Sequence, residues 1–168
     1  IDAILSAAQL KISGTCKKLI VTGCLAERYP AEIHSDLAEV DAILGTNQIE
    51  DIVRAVAGQS VPPPSSYGRS DADFYLYDHT TPRTLVGPGY AAYLKIAEGC
   101  NHTCAFCIIP KLRGPIRSRT IPSLVKEATN LADQGVREIT LISQDTTGYG
   151  QDLGIQDGLA KLLEALDR

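Results

Sequence analysis

The chain has 168 residues, of which 44% are hydrophobic and 21% charged, the composition of a folded globular protein with room for one full domain or two small or partial ones. Its formal net charge of −4 excludes a polycation that grips nucleic acid as a whole, leaving only a local basic patch for that role. No apolar run approaches the roughly 20 residues of a membrane span, so no membrane partner is expected.

Ile1, Ile4, Leu5, Ala8 and Ile12 fall at helical spacing, and Gly14 stops the pattern. Residues 18–22 (KLIVT) are apolar and β-branched, which predicts a buried strand ending at Gly23-Cys24. A helix is expected from Glu27 or Pro30 to Leu37, and a short strand over residues 41–44 (DAIL). Asn47 reads as an N-cap with Glu50 as its capping-box partner, opening a helix whose apolar face is Ile49, Ile52, Val53 and Val56 and which Gly58 ends. Strand and helix in alternation imply a parallel sheet with helical crossovers.

Residues 59–90 break the rhythm. They contain VPPPSSYG and VGPG and read as an interdomain linker, with a short strand near residues 74–77. Alternation resumes with a strand over residues 93–97 (YLKIA). A loop over residues 98–119 follows, then a helix from Pro122 to Gln134 with Leu124, Ala128, Leu131 and Ala132 facing inward. Residues 138–142 (EITLI) form the next strand, followed by the polar loop SQDTTGYGQDLG and a last amphipathic helix marked by Leu159, Leu162, Leu163 and Leu166.

The five cysteines are Cys16, Cys24, Cys100, Cys104 and Cys107. An odd count with three thiols crowded together is not a secreted disulfide framework, and it points to metal or redox chemistry in a reducing cytoplasm. In Cys100-Asn-His-Thr-Cys104-Ala-Phe-Cys107, three thiolates on one tight loop suit three irons of a four-iron cube and leave the fourth iron open to a small molecule. Phe106 would then wall the cluster from water. The competing readings are a disulfide, a chance cluster, or structural zinc. Zinc would want a fourth ligand such as His102, which is awkwardly placed between two of the cysteines. No acidic residue lies between Glu98 and Glu127, whereas Lys111, Arg113, Arg117, Arg119 and Lys126 do; a cationic strip there suits an anionic cluster. Gln144 and Asp145 follow a strand end, where α/β barrels place functional groups, and their alternative role is to cap their own loop.

The CxxxCxxC loop directly after a strand resembles the signature of the radical S-adenosylmethionine superfamily. The longer string YLKIAEGCNHTCAFCIIPKLRGPIRSR is similar to the methylthiotransferases of that superfamily, as are KKLIVTGCLAERYP and EVDAILGTNQIEDIV upstream. The resemblance implies an α/β fold in two parts. Residues 1–58 would be the C-terminal portion of an open parallel α/β N-terminal domain, 59–90 a linker, and 91–168 the first βα units of a radical SAM partial barrel. It implies a 4Fe–4S cluster on Cys100, Cys104 and Cys107 that binds and cleaves S-adenosylmethionine. A second, sulfur-providing 4Fe–4S cluster would have Cys24 as one ligand, while Cys16 stays a structural thiol. Arg113, Arg119, Gln144 and Asp145 are the residues expected to meet the cofactor or the substrate. QDT followed by YGxD resembles the branch that modifies an aspartate of ribosomal protein S-twelve rather than the branch that modifies tRNA adenosines. Implied partners are the small ribosomal subunit and an electron donor such as a flavodoxin or ferredoxin. An iron–sulfur electron carrier or a structural metal domain is the reading from another class. With Ile1 first, no Met, one matching thiol for the second cluster and about two barrel units, the expectation is a fragment that is inactive by itself.

Overall fold

The computed structural model describes residues 1–64 and 75–167. They divide into two compact units, Ile1–Tyr75 and Leu76–Arg168, and the division falls inside residues 59–90.

In the first unit, helix α1 (Asp2–Ile12) precedes strand β1 (Ile20–Thr22), which pairs in parallel with β2 (Ala42–Leu44), Thr22 opposite Leu44. Val21, Ala26, Ile33 and Ile43 form the core, with Ile4, Leu37 and Val40 packed against it. The crossover differs from the single helix expected from Glu27 or Pro30. It is two short helices, α2 (Cys24–Arg28) and α3 (Pro30–Asp36). Gly23 turns the chain at φ +108°, a conformation open to glycine, so helix begins at once with Cys24. Pro30 then forces Tyr29 out of helical geometry (φ −132°, ψ 49°) and splits the run.

The expected Asn47 cap is not formed. Helix α4 (Asp51–Val56) starts later, without a side-chain cap. Gln48 closes the preceding turn by accepting the Gly45 N–H at 2.9 Å, while its own amide donates to Pro62 O. Residues 59–64 thus lie against the first unit, and Arg83 is tied to Tyr93 O and Glu127 in the second. The strand expected near residues 74–77 begins outside the described residues, and 75–77 form no regular element.

In the second unit, β3 (Ala91–Lys95) pairs in parallel with β6 (Glu138–Ile142), from Ala91 opposite Glu138 to Lys95 opposite Ile142. Residues 98–119, expected as plain loop, hold more structure. Strand β4 (Ala97–Glu98) pairs antiparallel with β5 (Arg117–Ser118), and α5 (Ile109–Arg113) lies between them. The returning chain is drawn back because Arg119 N–H donates to Ile96 O and Ile116 N–H to the Asn101 carboxamide. Helix α6 (Ile121–Asp133) buries Leu124 and Leu131, but Ala132, expected inward, is exposed one position off that face. Helix α7 (Gly158–Leu166) buries Leu162 and leaves Leu163 half exposed. Leu94, Ile96, Ala97, Ile116, Leu124, Tyr149 and Leu162 make the core under the β3 and β6 edge. Among the described residues no helix is long and apolar enough to cross a membrane.

Candidate metal and cofactor site

Because β3 and β6 are parallel and in register, the loops after them leave from the same sheet edge. This is where open and closed α/β sheets place ligands. The three thiols stand on the first of these loops. Cys100 is buried, Cys107 partly buried and Cys104 exposed, and all three are free thiols. Gly99 leads into the loop at φ +83°. A Cβ there would lie 2.1 Å from Pro115 O and 2.6 Å from Gly114 O, so no other residue fits. Cys100 N–H donates to Gly114 O, and Cys107 N–H closes a turn onto Cys104 O. Cys100 Sγ accepts the His102 N–H at 3.4 Å, no disulfide ties the three thiols, and soft thiolate donors in this number fit an iron–sulfur cluster. Phe106 corrects one expectation: it is 94% exposed and walls nothing within these residues.

His102 corrects another. Its ring does approach one of the cysteines: donor atoms of Cys100, His102 and Asp145 lie within 4.8 Å of one another, a group that does not include Cys104 or Cys107. The ring is turned there by Asp145, whose Oδ2 sits 3.0 Å from His102 Nε2. The other carboxylate oxygen of Asp145 accepts from Thr147 N–H, Thr147 O–H and Gly148 N–H. The Thr147 hydroxyl does most to hold the carboxyl below its ordinary range, against an opposing push from burial. Gln144 Oε1 accepts the Gly99 N–H at 2.9 Å.

Two cations of the strip, Arg113 and Arg119, are paired with the two acids that bound it. Arg113 donates to Glu98 Oε1 at 2.9 Å, and Lys95 pairs with the other oxygen of the same buried carboxylate. Burial pushes Glu98 up, yet the two cations outweigh it and hold the group below its usual value. Arg119 is 3% exposed; it reaches Glu127 at 2.6 Å, Lys95 O and Ser123. Arg113 and Arg119 are among the residues expected to meet the cofactor or the substrate. The structure places both in ion pairs of the scaffold, with Arg119 fully inside. Glu98 and Tyr149 were not singled out in advance. Tyr149 is buried beneath the site and donates to Arg119 O at 2.7 Å, and burial pushes its phenol up to about 12.

In the first unit, β1 and β2 also end side by side. Cys24 opens α2 at that edge, partly buried, and the next residues bring Glu27 to accept the Thr46 N–H at 3.0 Å. A Cβ on Gly45 would lie 1.9 Å from Glu27 Oε2, so the approach depends on glycine. Cys16 donates to Lys18 O and sits apart from that edge.

Residues 94–166 match the profile of the Radical SAM superfamily, the stretch that carries both site loops. A solved radical S-adenosylmethionine methyltransferase, TsrM from Kitasatospora setae, superposes on 96% of this chain with a TM-score of 0.62 at 14% identity, a likeness of fold. Residues 94–166 thus carry a radical SAM domain, and the likeness to TsrM is one of α/β fold. Curated relatives named ribosomal protein uS12 methylthiotransferase RimO are 52% identical in Solibacter usitatus, 49% in Myxococcus xanthus and 45% in Koribacter versatilis, each over 99% of this chain. Over nearly its whole length the chain is thus similar to part of the radical SAM methylthiotransferases. It spans 34% to 41% of the length of these three relatives.

Proposed function

We propose that this chain works within a radical S-adenosylmethionine methylthiotransferase that places a methylthio group on the β-carbon of an aspartate in ribosomal protein S-twelve. The observation that carries this reading is the three-thiol loop held by Gly99 at the shared carboxyl edge of β3 and β6, in a chain whose relatives bear that name. Cys100, Cys104 and Cys107 would hold a 4Fe–4S cluster, which when bound supplies the electron that cleaves S-adenosylmethionine. The chain's own part is positional. Gly99 lets the loop cross the return strand closely, and the Lys95–Glu98–Arg113 group fixes the loop's first turn. Cys24 would be one ligand of a second cluster that provides sulfur. A small-subunit ribosomal partner, an electron donor such as flavodoxin or ferredoxin, and a cytoplasmic site of action belong to the same reading.

Mass spectrometry of ribosomal protein S-twelve and of total tRNA, from cells with and without the gene, tests it. Loss of the methylthio group from the ribosomal protein is the expected result. Loss from tRNA alone would transfer the assignment to the adenosine-modifying branch. In the anaerobically reconstituted protein, Cys104→Ala should abolish both the paramagnetic signal of the reduced cluster and cofactor cleavage. An unchanged signal, or zinc as the sole metal, would refute the cluster.

A further inference from the structure

We infer that the loop after β6 braces the cysteine loop, with Gln144 and the His102–Asp145 pair as positioning residues that hold Cys100 for its cluster, an inference that rests on the cluster reading above. Two neighbouring residues of one loop grip the other loop on both sides of Cys100. Gln144 takes the N–H of Gly99, immediately before it, and Asp145 takes the ring of His102, two residues after it. Both grips follow from strand register, since Lys95 and Ile142 lie opposite each other at the last rung of the sheet. The Asp145 end is itself rigid. Ser143 Oγ accepts the Asp145 N–H, and three donors from Thr147 and Gly148 fix one carboxylate oxygen, so the other is aimed at His102. On its far flank the cysteine loop is tied by Ile116 N–H to Asn101 and by Cys100 N–H to Gly114 O. Cys100 is thereby the best-held of the three thiols, whereas Cys104 stands exposed on the distal turn.

Hydrogen-bond partners that orient metal ligands typically alter metal affinity by about 10–100-fold when removed. This role differs from direct contact with the cofactor: it acts on how long iron is retained, with or without S-adenosylmethionine. The test uses the full-length protein, reconstituted anaerobically, as unsubstituted, His102→Ala, Gln144→Leu and Gln144→Glu forms. His102 is mostly exposed, so its replacement leaves the core untouched. Two quantities are followed without cofactor: the rate at which a ferrous chelator strips iron, and the paramagnetic spectrum of the reduced cluster. Gln144→Leu should release iron about tenfold faster, His102→Ala several-fold faster, both with altered spectra. Gln144→Glu keeps an acceptor oxygen opposite Gly99 N–H and should stay near the unsubstituted rate. Release rates and spectra unchanged in His102→Ala and Gln144→Leu, on a protein that does hold the cluster, would overturn the brace alone. Gln144→Glu releasing iron as fast as Gln144→Leu would overturn the acceptor role of Gln144. A protein that binds no cluster in any form would overturn the brace and the cluster reading together.

Discussion

At the scale of single residues, the site depends on a few positions whose chemistry admits no substitute. Gly99→Ala sets a methyl group against two backbone carbonyls in a region of φ that L side chains rarely adopt. The substitution should cost about 2 kcal/mol or more and lower cluster occupancy, read by urea denaturation and iron content. Tyr149→Phe leaves the Arg119 carbonyl buried without its donor, for a loss of about 1–2 kcal/mol. An ultraviolet titration should show one tyrosine ionising near 12, absent from the Phe variant; a full set of ordinary phenols would contradict the burial. The cysteines were legible because thiol spacing carries its own chemistry. Tyr149 was not, because it stands among Gly, Thr and Asp in a string that reads as polar loop. The partners of the cationic strip were legible only in part. The empty interval between Glu98 and Glu127 was visible, but not that those two bounding acids fold back onto Arg113 and Arg119.

At the scale of elements, α6 and α7 follow the hydrophobic pattern in the main, whereas the apolar positions read for α1 and α4 leave Leu5, Ile12, Val53 and Val56 exposed, and the strand expected over residues 93–97 is divided between β3, which ends at Lys95, and β4. β6 spans residues 138–142 as the apolar run predicts, whereas Gly23 and Pro30 divided the crossover and Gln48 displaced Asn47 at a turn. Those outcomes come from local backbone geometry at Gly23 and Pro30 and from a short turn closed by Gln48, none of which periodicity encodes. Helix α1 is fastened to the first sheet by a bond between residues far apart in sequence. Asp41 Oδ2 accepts from Lys11 Nζ and from Leu19 N–H, both at 2.7 Å. The Lys11 bond, with that of Leu19, holds the Asp41 carboxyl below its ordinary 3.8. The folded state thus prefers the ionised form. The stabilisation is complete above the ordinary value and is lost as pH falls through the lower, folded one. Unfolding midpoints by circular dichroism should separate the protein from its Asp41→Asn variant at neutral pH. The gap should be modest, because the pair is partly exposed, and should close in acid below 3.8. A gap that persists undiminished to about pH 2 would dismiss this account.

At the scale of the whole molecule, two units each present a cysteine at the carboxyl edge of a parallel strand pair, Cys24 in one and Cys100 in the other. On the proposed function the protein binds two clusters. Cys24→Ala should remove one and spare the other, so that cofactor cleavage persists while methylthiolation stops; iron analysis with an assay of each activity checks it. Loss of all iron in that variant would contradict separate sites. The family was legible from sequence because long strings such as YLKIAEGCNHTCAFC carry it. Residues 59–90 were legible as a break, yet Pro62 within them is bonded to the first unit and Arg83 to the second.

The bond from Gly99 N–H to Gln144 joins residues 45 positions apart. A ribosome adds about 5–20 residues per second, so the thiol loop waits about 2–9 s for its partner segment to be made. During that interval a nascent chain offers three sulfurs on a loop tied only on its Gly114–Ile116 flank, open to any thiophilic ion. Cluster delivery is thus best timed after translation has passed Gln144, and a strain slowed in elongation should accumulate wrongly metallated chains.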